Sequence, residues 1–145
     1  MAVLKVKNGD EWVPVAGAGG GGGGHVKAFV NFNGLDANTE MTLANGGVRK
    51  SFNVSSVTDL GVGHYDINFE TSFPDNEYAW SGNAGGTDET VSNSTPIGVR
   101  TGMVTPDKIR IIVPMCYISN SNINSSNSMP ADYANVCITI VGDYP

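Results

Sequence analysis

Residues 64–69 set Tyr65, Ile67 and Phe69 on one face and polar side chains on the other, the period-two pattern of a strand with one buried side. The same reading predicts strands over residues 26–32, 41–43, 48–58, 78–81, 97–104, 108–118 and 135–141. Turn chemistry divides them: Asn33-Gly34, Asn45-Gly46-Gly47, residues 59–63, Phe73-Pro74-Asp75-Asn76 and Thr105-Pro106-Asp107. Short strands at this spacing predict an all-β fold, an antiparallel β-sandwich of jelly-roll-like kind. No stretch keeps the 3.6-residue period of a helix.

The N-terminus follows a different plan. Residues 3–7 alternate apolar side chains with lysine, Asn8-Gly9 supplies a turn, and residues 12–15 resume an apolar stretch, which reads as a β-hairpin. Residues 16–24 then include six consecutive glycines and form a flexible coil spanning on the order of 17 Å. The predicted organisation is a hairpin over residues 1–15, a glycine-rich linker over 16–24 and a β-sandwich body over 25–145. A two-stranded hairpin buries too little to stand alone. Val3, Leu4, Val6, Trp12 and Val13 are therefore expected to dock on a partner, the plainer alternative being an edge hairpin folded onto its own body. The glycine run satisfies G-x-G-x-x-G, but a strand and not a helix follows it, so it is no phosphate loop.

Two predicted strands, residues 109–113 and 136–141, are apolar on both faces. Either the second face meets another subunit, making a homo-oligomer, or the chain's own loops cover it.

Composition narrows the function. Of 145 residues only 15% are charged, and the net charge is −6. The eight Lys and Arg are scattered, so a nucleic-acid footprint is excluded. The apolar runs are far short of the roughly 20 residues that span a bilayer, so no membrane insertion is expected. Residues 1–7 lack the features of a signal peptide, which predicts assembly in a cytoplasm. Cys116 and Cys137 both sit in apolar strand contexts and read as two buried small hydrophobes, with a disulfide left open.

Candidate chemistry is thin. His64 and Asp66 share a strand face and could pair, but with no nucleophile the plainer reading is a solvated His beside a carboxylate. The two His and two Cys show no zinc-ligand spacing. The acidic turns at 59–63 and 87–90 do not resemble a calcium loop. No catalytic residue, metal or cofactor is expected, and the chain is not read as an enzyme. Binding remains. Residues 119–128 form a Ser/Asn tract whose Asn120, Asn122, Asn124, Ser125 and Asn127 offer the donors and acceptors that suit sugar hydroxyls. Tyr133, with Trp80 and Tyr117, would supply a stacking face. Residues 82–94 form a second polar segment, and both segments read equally well as solvated connectors.

Four ordered strings carry a resemblance: VKAFVNFNG at 26–34, VRKSFNVSSVTD at 48–59, GVGHYDINF at 61–69 and FPDNEYAW at 73–80. Together they resemble a module of tailed-bacteriophage tail-fibre and other virion fibre proteins. LKVKNGDEWVPV at 4–15 is similar to the short virion-docking starts of such proteins. The resemblance implies a β-rich, usually homotrimeric structural protein located in the virion. Its N-terminus would be anchored on other phage tail or capsid proteins, and its body exposed toward a bacterial surface glycan or protein. The absence of an extended shaft leaves a head fibre or capsid decoration as the competing assignment.

Overall fold

The computed structural model describes residues 5–8, 11–14, 25–86, 94–114 and 129–142. Strands β1 (Lys5–Asn8) and β2 (Glu11–Pro14) pair antiparallel with each other as a separate two-stranded sheet. Their register sets Val6 opposite Val13, Lys7 opposite Trp12 and Asn8 opposite Glu11. Val3, Leu4 and the glycine run lie outside the described residues.

The body begins with β3 (His25–Phe32), β4 (Glu40–Met41), β5 (Val48–Phe52), β6 (Val54–Asp59) and β7 (His64–Phe69). It continues with β8 (Ala79–Gly85), β9 (Ser94–Pro96), β10 (Gly98–Val104), β11 (Lys108–Ile112) and β12 (Asn135–Gly142). These make two five-stranded antiparallel sheets, a first in the order β10-β11-β7-β6-β4 and a second in the order β5-β3-β12-β8-β9. No helix occurs among the described residues. The all-β sandwich expected from the alternation is the fold.

Alternation writes the core. Ala28, Val30 and Phe32 of β3 and Val136, Ile138 and Ile140 of β12 are buried, and so are Val57, Tyr65, Ile67, Ile109 and Ile111 of the first sheet. The Phe32 and Tyr65 rings join the two layers edge to face at 4.9 Å. One end of the core is closed by Phe69, Phe73 and Tyr78, with Phe73 stationed 4.7 Å from each of the others. The Tyr78 hydroxyl donates to the Thr105 carbonyl at 2.9 Å, and burial pushes this phenol up to about 12.

Three sequence expectations change. Residues 48–58 are not one strand. Asn53 takes a left-handed φ of 51°, and there the chain leaves the second sheet and enters the first. The Asn53 side chain holds this corner by accepting from the Thr71 N–H at 2.7 Å and donating to the Thr71 carbonyl at 3.1 Å. Asn tolerates that conformation better than most residues do. Apolar alternation runs on across the break, so the pattern could not reveal it. Residues 82–85 are not loop but the second half of β8. At Gly82 a Cβ would lie 2.5 Å from the Cys137 carbonyl oxygen, so only glycine lets β8 run this close to β12. A further strand, β9, also forms at the end of that polar segment.

The strands read as apolar on both faces divide. The outward row of β11 is Lys108, Arg110 and Ile112, and the two cations are engaged by a carboxylate described below. The outward row of β12 is Cys137, Thr139 and Val141, all half-buried. Cys137 carries a free thiol, and the Asn31 amide donates to its sulfur at 2.9 Å. Cys116 lies outside the described residues.

Candidate functional site

Strand direction sorts the connections to two ends. Antiparallel pairing puts His25 opposite Gly142 and Phe32 opposite Val136. The β5–β6 corner at Asn53, residues 70–78 and residues 105–107 therefore share the end where β3 begins. Residues 33–39, 60–63, 113–114 and 129–134 belong to the other end, where β3 finishes. The eight residues of β3 separate the two ends by roughly 23 Å.

The loop end is built on one carboxylate. Asp132 Oδ1 accepts from the Gly63 N–H at 2.6 Å and from the Tyr65 hydroxyl at 2.7 Å. The Gly34 carbonyl oxygen stands 3.0 Å from the same hydroxyl, and the Gly34 N–H donates to the Tyr133 carbonyl at 2.9 Å. Val113 N–H donates to the Gly63 carbonyl at 2.8 Å, and Ala131 N–H donates to the Val113 carbonyl at 2.9 Å. Three separate segments thus meet at Asp132. Burial, with Asp132 beside it, raises the Tyr65 phenol far above its ordinary range, so it stays a hydroxyl donor.

Gly63 is required for this meeting. Its φ is +67°, and a Cβ there would fall 2.6 Å from the Ala131 nitrogen and 2.8 Å from Pro130 Cβ. Pro114 bridges Pro130, so both bases of residues 115–128 are held side by side. Four exposed apolar side chains, Leu35, Leu60, Val62 and Met129, belong to the segments that meet there.

Of the residues predicted to bind ligand, Asn120, Asn122, Asn124, Ser125 and Asn127 lie outside the described residues, as does Tyr117. Their segment starts and ends at the loop end. Tyr133 is placed differently from the expectation. It is 8% exposed and belongs to the hydrophobic core, because its backbone is drawn inward by the bond to Gly34. Its ring is not an open stacking face. Trp80 is 38% exposed but sits at the start of β8, at the opposite end. Val6, Trp12 and Val13 fall on β1 and β2.

The His64–Asp66 pairing does not occur. Asp66 is 3% exposed on the outer face of the first sheet and is held by cross-strand cations. Arg110 Nε and Nη2 donate to its two oxygens at 2.6 and 2.8 Å, and Lys108 Nζ donates at 2.8 Å. The Arg110 guanidinium, helped by Lys108, holds this carboxyl below the usual carboxylate range despite burial. His64 instead places Nδ1 2.8 Å from the Val62 carbonyl oxygen. Among the described residues, no three His, Cys, Asp or Glu side chains gather as a metal site, and no buried side-chain polar atom lacks a partner.

Sequence reasoning missed Asp132. A signal existed, since Asp132 is the only charged residue between Arg110 and Asp143. A lone acid flanked by the apolar runs 111–118 and 136–141 needs donors when they fold around it. Comparison with protein-family models, curated proteins and solved structures finds no match to this chain.

Proposed function

We propose that the chain is a structural protein of a bacteriophage virion, a short tail fibre or spike anchored by its N-terminus and presenting its β-sandwich to the host surface. The observation that carries this reading is the two-ended body. His25, which follows the glycine-rich stretch in sequence, stands at one end, while Pro114 and Pro130, which flank residues 115–128, are bridged at the other, roughly 23 Å away. Chain entry at one end and a braced crossing of Pro114 and Pro130 at the other suit a part that is gripped at one side and touches at the opposite side. Recognition commonly sits on loops carried by a rigid scaffold. The motif series over residues 26–80 and the hairpin-like start agree with it. Many copies on one particle would add weak contacts through effective concentration, so each site need not bind tightly. The attachment partner on this reading is a bacterial surface glycan, recognised through hydroxyl and amide groups.

The test measures binding of the full chain to host envelope polysaccharide alongside adsorption by a phage lacking its gene. Saturable binding together with impaired adsorption supports the reading, whereas normal adsorption refutes it. A companion variant lacking residues 1–15 is expected to keep the cooperative melt of the body and to be absent from particles. Loss of that melt would make the hairpin part of the core.

One observation favours a second reading. Tyr133 is buried and Trp80 lies at the tether end, so the described part of the loop end offers no open aromatic platform for a sugar ring. On this alternative the chain is a head fibre or a capsid or tail decoration with no adsorption role, and the gene-deleted phage adsorbs normally.

A further inference from the structure

We infer that the outer face of the second sheet binds an acidic polysaccharide, one whose sugars carry carboxylates. This deepens the attachment reading and rests on it for the source of the glycan, but it assigns the contact to a side of the sandwich and not to its loop end.

Charge selects the class of ligand. The protein carries a net −6, yet the five strands of this sheet contain no Asp or Glu at any position. Acidic residues gather instead at the end where β3 begins, with Glu70, Asp75, Glu77 and Asp107 in its turns. On edge strand β5, Arg49 and Lys50 are adjacent and both exposed. Lys108 and Arg110, on the opposite sheet, are taken up by Asp66, whereas among the described residues neither Arg49 nor Lys50 meets a carboxylate. An anion approaching this acidic protein is therefore steered toward β5.

Arg49 is held ready for a carboxylate. Its guanidinium donates to Asn31 Oδ1 at 3.2 Å, to the Phe32 carbonyl at 2.9 Å and to the Ala134 carbonyl at 2.7 Å. Those bonds use three of its five N–H donors and fix its plane, which leaves two for an incoming acceptor. A guanidinium already fixed loses little freedom on binding, and its planar donors match carboxylate oxygens. Lys50, in register with Asn31, adds a second positive charge beside it.

The rest of the face suits sugar. Two outward rows cross four strands, Lys50-Asn31-Cys137-Asn83 and Phe52-Phe29-Thr139-Ser81. Each row is roughly 14 Å long and the two lie about 7 Å apart. Asn83 and Ser81 are exposed and offer an amide and a hydroxyl to sugar hydroxyls. The Phe29 and Phe52 rings stack at 6.3 Å, and Phe52 is 49% exposed, which supplies the open aromatic surface that the described part of the loop end lacks. An anionic headgroup would use the cations alone. The hydroxyl and amide groups continuing across the sheet favour a polymer of sugars.

Affinity electrophoresis of the full chain through gels holding polygalacturonate or alginate, with dextran as the neutral control, tests this directly. Both uronic-acid polymers should retard the chain, dextran should not, and the effect should weaken as salt rises. Lys50→Glu and Ser81→Glu are each expected to weaken binding at least about tenfold. Arg49→Lys should do the same, because lysine keeps the charge but not the planar donors. Lys108→Ala removes a cation from the opposite face and should leave retardation unchanged. Because Lys50 and Ser81 are exposed, their variants keep the wild-type melting transition, and that control is run on every variant. No retardation by either acidic polymer, equal retardation by dextran, or retardation indifferent to Lys50→Glu and Ser81→Glu overturns the inference. Tighter binding to phosphatidylglycerol vesicles than to either polymer overturns it too. Host polysaccharide that binds wild type and face variants alike refutes this inference and leaves the attachment reading standing. Face-dependent retardation beside normal adsorption by the gene-deleted phage does the reverse.

Discussion

Replacing Asp66 with alanine tests whether this carboxylate is a structural tie and not half of a catalytic pair. Both its oxygens are engaged by Arg110 and one also by Lys108, at 2.6–2.8 Å. Breaking a fully buried ion pair typically costs about 3–5 kcal/mol, mostly because one charge is stranded. Here the survivors are less stranded, since the Arg110 and Lys108 side chains are 22% and 42% exposed and can turn to water. What remains is the loss of charge-assisted hydrogen bonds, about 2 kcal/mol. For a body of this size that lowers the melting temperature by about 6–10 °C at neutral pH. The pH dependence has a definite sign. Asp66 ionises more readily in the folded chain than in the unfolded one, so its contribution is complete above the ordinary carboxylate value of 3.8. It drains away as pH falls through the lower folded value, and the gap between wild type and variant should narrow in strong acid. Thermal melts followed by circular dichroism at neutral and acid pH, with a double-mutant cycle against Arg110→Ala, provide the measurement. A melting loss under about 2 °C, or additive effects in the cycle, would refute the reasoning.

Two other predictions concern the loop end. Tyr65→Phe removes a donor to Asp132 and should cost about 1–2 kcal/mol, with faster amide exchange at Gly63 than at strand centres if the carboxylate ties these segments. Unchanged exchange at Gly63 would count against Asp132 as the tie. Gly63→Ala should be far more damaging than Gly46→Ala. Both residues have positive φ, which costs an alanine about 1–2 kcal/mol, but only Gly63 has backbone and proline atoms where the Cβ would go. Equal melting temperatures for the two variants would show that the loop end relaxes around the added carbon.

In two of the ordered strings singled out in the sequence, the tertiary structure gives particular residues a structural duty. In VKAFVNFNG, Ala28, Val30 and Phe32 face the core, and Gly34 packs against the Tyr65 hydroxyl, 2.7 Å from where a Cβ would stand. In GVGHYDINF, Gly63, Tyr65 and Asp66 have the three separate duties described above. These residues make a scaffold and its braces, and none of them specifies a ligand.

The all-β class, most strand positions and the inward faces were legible in the chain because a strand repeats every two residues and burial follows that repeat. The poverty in charge was equally plain. Pairing was not legible. Local pattern does not say which strands become neighbours, so it missed the crossing from sheet to sheet at Asn53 and the glycine that carries β8 alongside β12. It offered Asp66 no partner but His64, two residues away, where cross-strand register hands that carboxylate to Arg110 and Lys108, more than forty positions later. Asp132, remote in the chain from Gly34 and Gly63, gained its role only when three connections met at one end. Sequence dictated what each segment would become, and long-range closure decided what each would touch.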